Sequence, residues 1–263
     1  MKNLLISFFK SAYYTITETA YLAWRGTPLG EPSRRPLVSV YIPTHNRREL
    51  LLSRALPSVL NQTYRNLEII IAAHGCTDGT QSACYDLKDK RIKVISVPRT
   101  ETYPPTVENH WFAGRVVASN AGLDACTGEW IATLDDDDVW FSDHIEVSLR
   151  HAIYKGLEFT SAAGATNIGK IEPYVVGGVK VGPIQTWFYR GYLKSFKFNI
   201  DCWRKVRNRV CDTDLQERFR RAGVKMGYLD RVNVKVLPRP GDKHIGLKAA
   251  RENATTYMNH LSF

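Results

Sequence analysis

From Pro36 onward, short apolar runs alternate with segments of helical periodicity. Residues 37–42 form a β-branched run stopped by Pro43, and residues 47–62 carry apolar positions at three- and four-residue steps. Residues 67–72 repeat the apolar run and end at Gly75, and residues 77–88 are again helical in pattern. A third run, 91–97, stops at Pro98, and a loop with Pro104-Pro105 follows. Residues 114–126 then read as a helix with Gly128 beyond its end. Residues 129–134 make a fourth strand that runs straight into four aspartates. Strands alternating with helices predict parallel βαβ units, and such sheets bind ligands beyond the carboxyl ends of their strands. The polar clusters fall at those ends: Thr44-His45-Asn46 after the first strand, residues 74–78 after the second, and Asp135 to Asp138 after the fourth.

The second half is less regular. Residues 158–163 read as a strand, 177–183 as a glycine-rich loop, 214–222 as a helix closing at Gly223, and 232–237 as a last strand before Pro238. Ahead of the regular region, Leu5, Phe9, Ala12, Tyr13, Ile16 and Ala20 recur at helical steps and predict an amphipathic helix. Three resting places suit that helix: the main domain, a partner, or a membrane interface. Lys10 interrupts its apolar stretch and no small-residue cleavage site follows, which argues against a signal peptide. Residues 26–32, with two prolines and two glycines, read as a linker. The organisation expected is a helix and linker over 1–35, one domain over 36–250 and a tail over 251–263.

Composition narrows the classes. The 263 residues are 44% hydrophobic and 24% charged, which excludes a disordered chain, a collagen-like repeat and a disulfide mini-protein. No apolar run approaches the roughly 18–20 residues that span a bilayer. Five cysteines without a CxxC pair point to reduced thiols and a cytoplasmic setting. The net charge of +10 points to an anionic partner. Basic residues are dense between Arg204 and Arg251, but no zinc-finger spacing, RNP-type motif or heptad accompanies them, so nucleic acid is not expected.

Asp135-Asp136-Asp137-Asp138 carries the most chemical information. Four adjacent carboxylates repel one another, and a purely structural role at a strand end is costly. Alternating oxygen ligands suit a hard cation such as Mg²⁺ or Mn²⁺, with a phosphate-bearing substrate completing its shell. Gly164 to Lys170 approaches a phosphate-cradling loop, but Ile171 follows where Ser or Thr is required, and Glu172-Pro173 prevents a helix from starting. GxGxxG is absent.

Six blocks then add up. They are Val40 to Asn46 (VYIPTHN), Asn61 to Glu68 (NQTYRNLE), Gly75 to Thr80 (GCTDGT), Asn120 to Ala125 (NAGLDA), Gly128 to Ile131 (GEWI) and Leu134 to Asp138 (LDDDD). In order and spacing they resemble family 2 glycosyltransferases of the GT-A fold. The resemblance implies an α/β domain with a mostly parallel sheet flanked by helices, and a nucleoside-diphosphate sugar lying across the strand C-terminal ends. It implies Pro43, Thr44, His45 and Asn46 near the base, Asp135 and Asp136 at ribose or metal, and Asp137 as principal ligand of Mn²⁺ or Mg²⁺. Asp212 matches the family's acceptor-activating base, with Asp214 as the alternative. An inverting transfer to a saccharide or lipid-linked acceptor follows, with a UDP-sugar favoured. Contact of residues 1–25 with the inner face of a membrane would suit such an acceptor.

Departures from the family pattern carry their own expectations. Two acidic residues often precede the glycine matching Gly75; here Ala73 and His74 stand there, and a neutral His74 can accept a hydrogen bond from a base N–H. Ser119 replaces a frequent arginine, and Arg115, one turn earlier, is expected to serve the phosphates. Trp187 and Tyr189 fall where such enzymes place acceptor-facing loops; core packing is the competing reading. His244 is a further candidate for the metal or diphosphate. Residues 103–111 are expected to shape the sugar pocket. Two rivals remain: a nucleotidyltransferase on a similar sheet, and a non-catalytic relative that only binds sugar nucleotides.

Overall fold

The computed structural model describes residues 2–25, 33–100, 103–204 and 210–254. The linker expected over 26–32 and most of the expected tail lie outside the described residues. A long helix, α1 (Lys2–Arg25), comes first. β1 (Val38–Thr44) follows, then α2 (Arg48–Leu50), which passes through a π-helical turn at Leu51–Ala55 into α3 (Leu56–Leu60). Next come β2 (Leu67–His74), α4 (Thr80–Asp86), β3 (Ile92–Val97), α5 (Val107–Ala113), α6 (Val116–Ala125) and β4 (Trp130–Thr133). The short β5 (Val139–Trp140) leads to α7 (His144–Lys155), β6 (Phe159–Thr166) and β7 (Gly169–Ile171). β8 (Tyr174–Val176) and β9 (Val179–Val181) form a separate hairpin. β10 (Phe188–Arg190), α8 (Cys211–Arg221), β11 (Met226–Lys235) and α9 (Gly246–Glu252) complete the order.

The main sheet runs β3-β2-β1-β4-β10-β6-β11-β5, with β7 paired to β6. β1 to β4 are parallel, as the alternating pattern predicts, and β6 and β11 are parallel to each other. β1 is buried along its whole length because both sheet faces are covered. Its residues alternate between two cores: Val38, Val40 and Ile42 face one with Trp130 and Phe188, and Tyr41 faces the other with Phe159, Trp187 and Tyr189.

The departures from expectation have local causes. β10 lies in the middle of the sheet, antiparallel to both β4 and β6. With only three residues, buried on both sides, it shows no period-2 alternation in sequence. The chain reaches and leaves it through glycines that nothing larger could replace. A Cβ on Gly182 would meet Ala162 O at 1.7 Å, and one on Gly191 would meet Gly128 O at 2.1 Å. α5 falls inside the stretch read as loop; the Thr106 hydroxyl caps it by accepting from Asn109 N (3.1 Å). The lookalike of a phosphate loop is the β6–β7 hairpin, with Lys170 paired to Asp230.

α1 docks on α8. The Arg218 guanidinium lies over the Tyr14 ring (4.7 Å), pairs with Glu18 and with Asp214 (2.9 Å), and donates to Lys197 O. Tyr21 and Leu22 pack against the core beside it. Burial pushes the Glu18 carboxyl from 4.5 up to about 7, although Arg218 opposes the shift. Between those two values the docked helix holds a proton that the undocked helix releases. Its contribution to docking is therefore full at acid pH and is lost as pH rises through 7. Amide exchange across residues 12–24, corrected for the intrinsic rate, should accelerate from pH 5 to pH 8. Glu18→Gln should remove that dependence; an unchanged slope would contradict it.

Candidate active site

The first two strand ends are tied together by side chains that the sequence placed there. Asn46, at a left-handed φ of 49°, accepts from Thr77 N with Oδ1 (2.7 Å), and Asp78 accepts from Arg48 N (2.9 Å). His45 Nδ1 lies 2.5 Å from His74 O, a pure acceptor, so Nδ1 carries the proton. Its Nε2 then accepts from Arg99 (3.0 Å), so the ring is held from both nitrogens at the end of β1.

β4 delivers the four aspartates, and the turn after it sends their side chains to different partners. Asp136 is 3% exposed and bonds Arg47 (2.9 Å). Asp137 sits between Arg239 (2.8 Å) and Arg47 (3.4 Å). Asp135 bonds Arg115 (2.7 Å) and the Gln185 amide (2.7 Å), and Asp138 accepts from Leu237 N (2.9 Å). Asp135, Asp137 and Asp138 each bring one oxygen within 4.8 Å of the others. Burial raises the pKa of Asp135, Asp136 and Asp138, and the neighbouring carboxylates add to the rise. At Asp137 burial works the same way, but Arg47 and Arg239 outweigh it and hold the group below its ordinary value. Of the four, Asp137 is the carboxyl that its arginine neighbours hold below the ordinary range.

Into the same cleft, the first turn of α8 presents Asp212, whose Oδ1 accepts from Thr213 N (2.6 Å). Burial raises its pKa, only partly offset by Thr213 and Arg115. A cleft of about 750 Å³ joins these groups. Pro43, Thr44, His45, Asn46, His74, Arg115, Asp135, Asp136, Asp137 and Asp212 all line it. Arg115, the N-cap of α6, also donates to Ser119 (3.2 Å), so it stands beside the serine whose family counterpart is often arginine. Tyr103 and His110 enter the same cleft joined by a 2.8 Å hydrogen bond, and burial drives His110 down to about 3. The His110 ring covers Gly114, where a Cβ would come within 2.4 Å of it.

Several expected site residues lie elsewhere. Asp214 points to the other side of α8, paired with Arg218, and does not line the cleft. Trp187 and Tyr189 are fully buried in the core around Phe159 and Phe219, so no acceptor can reach them. The competing reading, core packing, holds for both. Trp187→Ala should accordingly cost about 3 kcal/mol of stability in denaturant unfolding. A variant that kept wild-type stability while acceptor KM rose would restore the acceptor role. His244 stands outside the acidic cluster; it lines an adjoining recess of about 130 Å³ with Asp137 and Asp138 and lies 3.8 Å from Glu252. Arg47, Arg99, Gln185 and Arg239 were missed. No local pattern marks them, because each reaches the cleft from a different loop. With Arg48 and Arg115, they line the cleft with five guanidinium groups suited to an anionic ligand.

Comparison with known proteins follows the same lines. The family model described as "Glycosyl transferase family 2" matches residues 39–176, just over half of the chain. The chain is 29% identical over 123 residues to the Escherichia coli UDP-Glc:alpha-D-GlcNAc-diphosphoundecaprenol beta-1,3-glucosyltransferase WfgD. That match covers 47% of this chain and 44% of the relative, so the chain spans less than half of that protein. Among solved structures, S. aureus TarS 1-349 in complex with UDP-GlcNAc superposes with a TM-score of 0.59 at 15% identity, over 80% of this chain and 60% of that one. The Pyrobaculum calidifontis mannosyltransferase PcManGT in complex with GDP-Man and Mn2+ gives 0.58 at 17% identity, over 90% and 68%. At such identities these two show the fold alone: an α/β domain of GT-A type, with a largely parallel sheet flanked by helices. The strand-end motifs, the sheet and the match over residues 39–176 agree, and the chain belongs to glycosyl transferase family 2.

Proposed function

We propose that this chain is a divalent-metal-dependent, inverting glycosyltransferase that moves a sugar from a nucleoside-diphosphate sugar to a hydroxyl of a lipid-linked saccharide. One observation carries the reading: Asp135, Asp136, Asp137, Asp212 and five arginines line a single cleft at the C-terminal ends of the parallel strands. WfgD, whose name gives a UDP-glucose donor and a diphosphoundecaprenol-linked acceptor, supports the substrate classes. The free thiols and the lipid-linked acceptor suit action at the cytoplasmic face of a membrane.

The residues fit a hard cation. Three carboxylates converge from one turn, with one oxygen of each within 4.8 Å of the others, the all-oxygen donor set that a hard cation takes. Asp137 would hold the ion, with Asp135 and Asp138 beside it. Bound Mn²⁺ or Mg²⁺ supplies neutralisation of the charge that develops on the departing diphosphate. Arg47, Arg115 and Arg239 flank the same position and orient the phosphates. Thr44, His45, Asn46 and His74 line the end of the cleft where the base would lie, and His74 O and Arg99 hold the His45 ring in place there. Tyr103 and the neutral His110 would border the sugar. Asp212 removes the acceptor hydroxyl proton as the oxygen attacks the anomeric carbon. The bond to the diphosphate breaks, the nucleoside diphosphate leaves, and a single displacement inverts the centre.

A thermal-shift panel of UDP-, GDP-, CMP- and dTDP-sugars, with and without Mn²⁺, tests the donor assignment. A UDP-sugar should raise the melting temperature most, and only with the metal. Stabilisation by none of them would sink the reading. Release of pyrophosphate instead of a nucleoside diphosphate would favour the nucleotidyltransferase.

A further inference from the structure

α1 has two faces of opposite character. At about 100° per residue, Tyr14, Glu18, Tyr21 and Leu22 share one side, the side docked on α8 and the core. Phe9, Tyr13, Ile16, Ala20 and Trp24 fall within about 80° of arc on the other. On that second face Phe9 is 68% exposed, Tyr13 64%, Ile16 69% and Trp24 84%. The stripe is about 22 Å long at 1.5 Å per residue. The buried Arg218–Glu18 pair holds the helix in this orientation, so the apolar side cannot turn inward without stranding a charge.

We propose that this stripe is an interfacial surface that lies on an anionic lipid bilayer. The charge distribution selects that occupant. Glu18 is the sole acidic residue between Lys2 and Arg25, and Arg218 already neutralises it, while Lys2, Lys10 and Arg25 leave the helix basic within a chain of net charge +10. Tyr13 and Trp24 combine apolar rings with polar tips, the side chains suited to headgroup depth. A second copy of the chain is the weaker fit. Three aromatic side chains, an isoleucine and an alanine offer roughly 600 Å², below the ~800 Å² per partner of a standard stable interface. Crossing is not the mode either, since no helix among the described residues is long and apolar enough to span a membrane. The inference deepens the proposed transfer to a lipid-linked acceptor and rests on it for its purpose, but its test needs no turnover.

The full chain is sedimented with vesicles of 3:1 phosphatidylethanolamine and phosphatidylglycerol, and separately with phosphatidylcholine alone. Binding to the anionic vesicles, at least tenfold weaker on phosphatidylcholine, is expected. Phe9→Ser/Ile16→Ser/Trp24→Ser should reduce it at least tenfold while donor-induced thermal stabilisation is retained. Brominated lipid should quench fluorescence in the wild type and much less in Trp24→Phe, a variant that leaves the fold undisturbed. Protein remaining in the supernatant, or a triple variant that binds like wild type, overturns the proposal. So does a dimer by light scattering that the triple variant dissociates. Vesicle binding without any donor stabilisation would overturn the transferase reading and leave this one standing.

Discussion

Asp137→Ala is expected to lower metal-dependent transfer by about 10³-fold or more. Stabilising the charge on a departing diphosphate is worth several kcal/mol, and about 4 kcal/mol corresponds to three powers of ten. Asp137 stands between Arg47 and Arg239, which hold its carboxyl below the ordinary range, and it shares with Asp135 and Asp138 the cluster of converging oxygens. Asp137→Asn keeps the shape and should lose nearly as much, which separates charge from packing. The fold should suffer far less than the chemistry. Removing this group relieves repulsion on Asp138, and its two partners, Arg47 and Arg239, each retain access to solvent. The measurements are nucleoside-diphosphate release and Mn²⁺ binding by calorimetry in the presence of UDP. Wild-type turnover in the Asn variant would remove the metal from the mechanism.

Asp212→Asn should lower kcat by about 10²–10⁴-fold, the range for loss of a positioned general base. Donor affinity should change little, because Asp212 is not a member of the converging acidic cluster and the asparagine can still accept from Thr213 N. The pH profile gives a second readout. The base must be ionised, and burial raises its pKa, so kcat should climb with pH along a limb above the ordinary carboxylate range. Asp214→Asn is the internal control. Its carboxylate pairs with Arg218 beneath α1, so its effect should appear as weaker docking of that helix, with kcat nearly unchanged. Equal losses in both variants would mean that Asp212 acts only through the helix. Asp212 lies beyond the 39–176 match, as Gln185 and Arg239 do, so its assignment depends on the geometry of the cleft.

Much of the cleft was legible because its parts are local. Pro43 to Asn46, His74 and the tetra-acidic turn each sit directly after a strand, and parallel strands place their ends along one edge whatever the loops do. The same logic failed where a residue's partner is distant. Trp187 and Tyr189 fall where the family places acceptor-facing loops, and their aromatic faces suit sugar rings. Insertion of β10 between β4 and β6 buried them instead. Asp212 and Asp214 are two residues apart, about 200° around a helix, so only one can face the cleft; which one was settled by the docking of α8.

By itself, then, the chain's pattern determined the parallel strand core, the edge that carries the polar groups and the amphipathic nature of α1, because hydrophobic period and strand-end position are properties of consecutive residues. Only the tertiary structure decided which carboxylate the arginines hold below its ordinary range, which aspartate of α8 faces the cleft, which arginines converge on it and which side of α1 stays exposed. Those outcomes depend on burial and on charges brought together from loops far apart in sequence, and Coulomb energies follow distance in space, not distance along the chain.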